Sequence, residues 1–191
     1  MKTIEFMGMP KAGKSTQVEL LETMLKHGRG SSVRKIQEGA RICPLDKKEG
    51  FLYVTWSFHN TMNRLMEAQQ TGFDYILIDR GVYDHIAFTT ALYKSGRITE
   101  EQYTAQASYF KEFSFLEDLV LAHVISPEES LRREHKYHNF DGIVMNQDFL
   151  AELSDAYQET LPLVYQDYLV VDGSKPLRKN AAEILDFVAC H

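Results

Sequence analysis

The stretch EFMGMPKAGKSTQ, residues 5–17, decides how the rest of this chain is read. Gly8, Gly13, Lys14 and Ser15 satisfy the pattern G-x-x-x-x-G-K-[ST] without a gap. The apolar run TIEFM stands directly before the pattern. KSTQVELLETMLKHG follows it, with apolar residues at helical spacing (Val18, Leu21, Leu25) up to a stop at Gly28. The pattern therefore falls at a strand-to-helix junction, where its chemistry needs it. Glycines let the backbone curl until several N–H groups and the helix N-terminus converge on one anion. Lys14 adds charge, and the Ser15 hydroxyl suits Mg²⁺. The loop predicts a nucleoside triphosphate site formed by Gly8, Lys11, Ala12, Gly13, Lys14, Ser15 and Thr16.

Working outward, apolar runs bounded by turn residues alternate with amphipathic segments. SVRKIQE, DYILID, DLVLAHVI and DYLVVDG read as further strands. Helices are expected over residues 47–70, 83–94, 100–115 and 146–158, after Pro127, and over 179–189. Thr99 and Gln102 have the spacing of a capping box. HKYHNFDG is a polar break. Strand-helix alternation predicts an α/β fold, a three-layer parallel sheet of about five strands flanked by helices, because each parallel crossover needs a helix.

At 191 residues the chain is expected to be one domain, 1–191, and at 44% hydrophobic and 25% charged it has the composition of an ordinary globular protein. A formal net charge of −6 makes nucleic acid a disfavoured partner. Cys43 and Cys190 lie far apart and outside any zinc spacing, which fits a reducing, cytoplasmic setting. No run of about 18 apolar residues occurs, so no membrane span is expected.

A phosphate loop calls for an acid at the end of a buried strand, to hold Mg²⁺ together with Ser15. YILID supplies Asp79, with Arg80 immediately after it. GMPKAGKSTQ followed by LIDRGVYDHIAF resembles the thymidylate kinase and deoxynucleoside kinase superfamily, and the likeness extends over nearly the whole chain. The resemblance implies a phosphotransferase that uses ATP and Mg²⁺ and phosphorylates a nucleoside or nucleoside monophosphate, with a short lid at about 132–144. It places Lys11 where thymidylate kinases often carry an arginine, and Asp79-Arg80 on their Asp-Arg pair. Glu38 of IQEG falls on a glutamate near the acceptor, and Arg132 and Arg133 of ISPEESLRRE fall on the lid. VVDGSKP resembles the stretch near the adenine pocket. Pro10, EGAR and Asp84-His85 depart from the thymidylate kinase pattern and point away from thymidylate itself.

Two acceptor chemistries stay open. A nucleoside hydroxyl must lose a proton during attack and benefits from a carboxylate such as Glu38. A monophosphate attacks with an oxygen already ionised and needs cations instead; Arg41, Arg64 and Arg80 are the candidates. In the aromatic run FLYVTWSFHN, Trp56 or Phe58 is a candidate base stacker and His59 or Asn60 a candidate edge reader, and Tyr83, Asp84 and Phe88 are further candidates. His135, Lys136 and His138 form a basic stretch in the lid. The catalytic set so expected is Lys14, Asp79, Arg80, Glu38, Arg132 and Arg133. An NTP-driven switch, or a kinase of a non-nucleotide molecule, remains the alternative, because the loop reports the donor and not the acceptor. NQD at residues 146–148 does not match the Asn-Lys-x-Asp guanine reader of GTPases. A homodimer through the helices after Asp79 is in keeping with the resemblance.

Overall fold

The computed structural model of the chain describes residues 1–46, 49–137 and 145–191, with the backbone alone at Arg41 and Tyr137. Five parallel strands form one sheet: β1 (Lys2–Gly8), β2 (Val33–Ile36), β3 (Tyr75–Asp79), β4 (Leu119–Val124) and β5 (Asp167–Asp172), in the order β2-β3-β1-β4-β5. The helices are α1 (Lys14–Arg29), α2 (Gly50–Gln69), α3 (Val82–Lys94), α4 (Glu100–Lys111), α5 (Pro127–Tyr137), α6 (Gln147–Thr160) and α7 (Leu177–Cys190). The chain leaves β1 for the far edge at β2, returns through β3, then passes over β1 to β4. The carboxyl ends of β1 and β3 therefore flank a switch point of the sheet, the place where open α/β folds bind ligands.

Side chains alternate across the strands and split the interior in two. Ile4, Phe6, Leu77, Leu119 and Leu121 face α1 and α7, packing on Val18, Leu21, Leu25, Ile184 and Val188. Met7, Ile76, Ile78, Val120 and Ala122 face α2, α3, α4 and α6. Burial on both faces explains why these strands read as nearly continuous apolar runs. The same alternation aims Asp79, in phase with Leu77, toward α1, and Glu5, in phase with Met7, toward α3.

Several boundaries shift from their expected places. Helix α1 runs through Gly28 and stops at Gly30, whose left-handed φ of 67° lets it and Ser31 donate back to Lys26 and Leu25. The segment expected as one helix over 100–115 ends as α-helix at Lys111 and finishes in a 3-10 turn, Ser114–Leu116. Helix α2 begins at Gly50, and residues 47–48 lie outside the described residues. The capping box forms: Thr99 accepts from the Gln102 N–H and the Gln102 side chain accepts from the Thr99 N–H. Among the described residues no helix is long and apolar enough to cross a membrane.

Candidate active site

The phosphate loop begins where β1 presses against β4. Gly8 has a φ of +130°, and a Cβ there would stand 2.0 Å from the His123 carbonyl oxygen, so only glycine fits. Gly13 takes the left-handed conformation as the N-cap of α1 and leaves its first-turn N–H groups without a side-chain cap. Lys14 folds back under the loop, donating to the carbonyls of Gly8 (2.7 Å) and Met9 (3.0 Å). Two of its three N–H donors are so used and one remains for a ligand. Burial, with Arg80 nearby, lowers its pKa to about 8.

At the end of β3, paired across from Phe6 of β1, Asp79 accepts from the Ser15 hydroxyl at 2.5 Å. Its other oxygen, Oδ1, is buried without a hydrogen-bond partner among the described residues. A buried carboxylate oxygen left unpaired is costly, and beside a hydroxyl it makes a donor set that suits Mg²⁺.

Arg80 follows in the left-handed region, φ 70°, unusual for a side chain of this size. The conformation turns its guanidinium into the cleft, where Nη1 donates to Asp84 at 2.7 Å and Nε lies 3.0 Å from Glu38. Asp84 also accepts from the Gly8 N–H (3.0 Å) and from the Tyr157 hydroxyl (2.7 Å), tying α3 and α6 to the phosphate loop. Burial works against the charges on Arg80 and Asp84, but their attraction outweighs it and both stay ionised. The Arg80 charge holds the Glu38 carboxyl below the usual carboxylate range.

Sequence reasoning missed the support beneath this arrangement. The N-terminus of α3 starts at Gly81, which has no side chain to cap it, and two buried acids from elsewhere take over. Glu5 accepts from the N–H groups of Gly81 (3.0 Å), Tyr83 (3.1 Å) and Asp84 (2.8 Å), and Glu117 accepts from Val82 (2.8 Å). A Cβ on Gly81 would meet Glu117 Oε1 at 2.1 Å. Burial pushes the Glu5 carboxyl up to about 7 and, with the neighbouring Glu5, pushes the Glu117 carboxyl well up; Glu5 spends both oxygens on backbone N–H groups, so the proton that the pair keeps sits on Glu117.

Two cavities meet at this point. One, about 360 Å³, is lined by the loop residues Pro10, Lys11, Gly13, Lys14, Ser15 and Thr16 together with Glu38, Asp79 and Arg80. The other, about 430 Å³, lies between α2 and α3 and shares Glu38 and Arg80 with the first. Its remaining walls are mostly apolar, with Val54, Phe88 and Met145 among them, and Ser57 and His85 add a buried polar pair.

The expected acceptor residues divide. Glu38 and Arg80 line both cavities. Trp56 and Asn60 instead pack on the 3-10 turn Gly39–Arg41: a Cβ on Gly39 would lie 3.3 Å from the Trp56 ring and 2.4 Å from Asn60 Nδ2. Phe58 is wholly buried and stacks on Phe110 at 3.9 Å. His59 Nδ1 bonds the Thr55 carbonyl on its own helix. Arg64 donates to the Gln37 carbonyl. Tyr83 lies on the opposite side of α3 and donates to Gln166 at 2.6 Å, while Asp84 and Phe88 do reach the pocket. The Arg41 side chain lies outside the described residues.

On α5, Glu129 pairs with both arginines. Arg132 points outward, and Arg133 also donates to the carbonyls of Lys11 (3.1 Å) and Gly173 (2.9 Å), across the back of the phosphate loop. Lys11 is paired with Glu134 at 2.5 Å. His135 and Lys136 belong to α5; His138 and the rest of the expected lid, 138–144, lie outside the described residues.

The strand order, the phosphate loop after β1 and the carboxylate ending β3 define the P-loop kinase fold. Within that class the chain is similar to the deoxyadenosine kinase from M. mycoides. Its structure with bound dATP matches at a TM-score of 0.75 and 16% identity, covering 98% of this chain and 99% of that one. Its structure with the products dCMP and a flexible dCDP matches at 0.75 and 17%, over 99% and 100%. With bound dCTP the values are 0.67 and 16%, over 99% and 100%. No protein-family model matches the sequence, and no curated protein matches it. The chain thus shares the fold of that deoxynucleoside kinase over nearly its whole length.

Proposed function

We propose that this chain is a nucleoside kinase that moves the γ-phosphoryl group of ATP to the 5′-hydroxyl of a nucleoside or deoxynucleoside. The observation that carries this is the junction of the two cavities at Glu38 and Arg80. Among its described lining residues the acceptor pocket has one cation, Arg80, already shared by Glu38 and Asp84, and Glu134 adds a further acid. A monophosphate would bring its charge against those carboxylates, at about 4 kcal/mol per like pair at 4 Å near a protein surface. A neutral hydroxyl meets no such penalty. The likeness to a deoxyadenosine kinase supports the same choice.

Glu38, held ionised by Arg80, accepts the hydroxyl proton as the oxygen attacks the γ-phosphorus, and the bond to the β-bridging oxygen breaks to release ADP. Lys14 and the N–H groups from Gly13 to Thr16 hold the β- and γ-phosphates, with Gly8, Lys11 and Ala12 shaping the loop. Ser15 and Asp79 would hold Mg²⁺, which when bound neutralises phosphate charge. Arg80 keeps Glu38 in place; for Arg132 and Arg133 to meet the transferring group each must leave Glu129, and Arg133 must also leave the carbonyls of Lys11 and Gly173.

A screen of nucleosides and nucleoside monophosphates with ATP and Mg²⁺, reading ADP release, tests the proposal. A nucleoside is the expected acceptor. Glu38→Gln should lower kcat by roughly 10²- to 10⁴-fold with little change in KM. Faster turnover of a monophosphate, or a mild effect of Glu38→Gln, overturns the assignment. ADP release unaffected by any acceptor would favour an NTP-driven switch.

A further inference from the structure

The acceptor pocket contains one polar pair that the transfer step does not use. Ser57 on α2 and His85 on α3 both line it, with only 6% and 5% of their surface exposed. His85 Nδ1 lies 2.6 Å from the Gly81 carbonyl oxygen and its Nε2 lies 3.0 Å from the Ser57 hydroxyl. A carbonyl only accepts, so Nδ1 carries the hydrogen. Phe58 and Phe110 meet the ring edge-on, at 5.5 and 6.1 Å between centroids. Burial, helped by the Arg80 charge, outweighs the Gly81 hydrogen bond and the Asp84 and Glu38 charges, lowers the pKa of the ring and keeps it neutral. Nε2 then has a lone pair and no proton, and the Ser57 hydroxyl must donate to it.

The orientation of that hydroxyl fixes what the pocket offers. Its one hydrogen is committed to His85, and only lone pairs remain for a ligand. Tyr53 lines the pocket as well, and a phenol hydroxyl both donates and accepts, so it does not discriminate. Val54, Phe88 and Met145 have no polar group to add, and the carboxylates of the pocket are already engaged, Glu38 by Arg80, Asp84 by Arg80, Gly8 and Tyr157, and Glu134 by Lys11.

We propose that Ser57, locked by the His85–Gly81 relay, is a specificity-determining residue: a fixed hydrogen-bond acceptor that selects nucleosides whose base carries an amine at the edge facing it. This rests on the nucleoside kinase reading. A base with no N–H at that edge would bury the Ser57 oxygen unpaired, and one lost hydrogen bond of this kind is worth about tenfold in affinity.

The test is equilibrium binding to the full chain, by calorimetry, of matched nucleosides that differ only at the amine. Deoxyadenosine is set against purine deoxyriboside, and deoxycytidine against its analogue with hydrogen in place of the amine. Wild type should prefer the amine about tenfold in at least one pair, and Ser57→Ala should cut the preference to about twofold or less. Nitrogen-15 NMR of the unsubstituted protein should show His85 protonated at Nδ1 and not at Nε2. Equal binding within both pairs, no binding of any of the four, a preference that survives Ser57→Ala, or a proton on Nε2 each overturns the inference. ADP release separates it from the reading beneath it. Amine-selective binding without transfer would sink the kinase and leave the selector, and transfer blind to the amine would do the reverse.

Discussion

Lys14 is charged against its surroundings. Burial and Arg80 bring its pKa down to about 8 from the ordinary 10.5. With the folded value depressed, the folded state binds fewer protons than the unfolded one between those pH values. Stability from this residue therefore rises with pH across that window. A triphosphate reverses the balance by favouring the ammonium. At pH 8, ATP binding should take up roughly half a proton per site, seen as a dependence of binding enthalpy on the ionisation enthalpy of the buffer. Independence from the buffer would show that Lys14 does not meet the phosphates. Lys14, Ser15, Asp79 and Arg80 were legible because their chemistry is fixed by position relative to a strand end. Ser57 and His85 were not selected, since helical spacing shows which face is buried and not which buried side chain borders a cavity. Trp56, Phe58 and Tyr83 share α2 and α3 with that pair and pack elsewhere, on the Gly39–Arg41 turn, on Phe110 and against Gln166.

At the scale of an element, α3 depends on acids remote in sequence. Gly81 gives no capping signal, and Glu5 and Glu117 arrive from β1 and from the turn before β4 to take the first-turn N–H groups. Glu5 needs both oxygens as acceptors, whereas Glu117 needs one acceptor and one donor. Glu5→Gln should therefore lose about 2–4 kcal/mol of stability, through an amide N–H turned on backbone N–H groups, and Glu117→Gln less than about 1 kcal/mol. Burial raises the Glu117 carboxyl above its ordinary 4.5, so the pair's contribution is complete below that pH and is lost as pH rises through the raised value. Urea unfolding from pH 4.5 upward should show wild type losing stability relative to Glu117→Gln, whose amide cannot titrate. Parallel pH curves would mean that the pair holds no extra proton. Element ends were read less well than their existence. Gly28 looked like a stop for α1, yet the left-handed turn with its back-donated N–H groups falls at Gly30.

At the scale of the whole molecule, one sheet separates two apolar cores and belongs to both. We propose that residues 1–191 unfold as a single cooperative unit. Leu77 is fully buried on the α1/α7 side, and the sole tryptophan, Trp56, lies on α2 on the other side. Leu77→Ala should cost roughly 2–5 kcal/mol and should shift the Trp56 fluorescence transition and the far-ultraviolet circular dichroism transition together. Separate midpoints would divide the chain into two units. The same sheet holds the site, because the phosphate loop and Asp79 end adjacent strands at the switch point.

By itself the sequence determined the parallel α/β class, the phosphate loop and its partner acid. Those depend on local grammar: apolar runs, helical spacing, and glycines where the backbone must turn sharply. Only the tertiary structure decided that Glu38 and Arg80 join two cavities, that Glu5 and Glu117 anchor α3, and that a serine held by a histidine borders the second cavity. Each of these brings together groups from different elements, and no spacing along the chain encodes the packing that makes them neighbours.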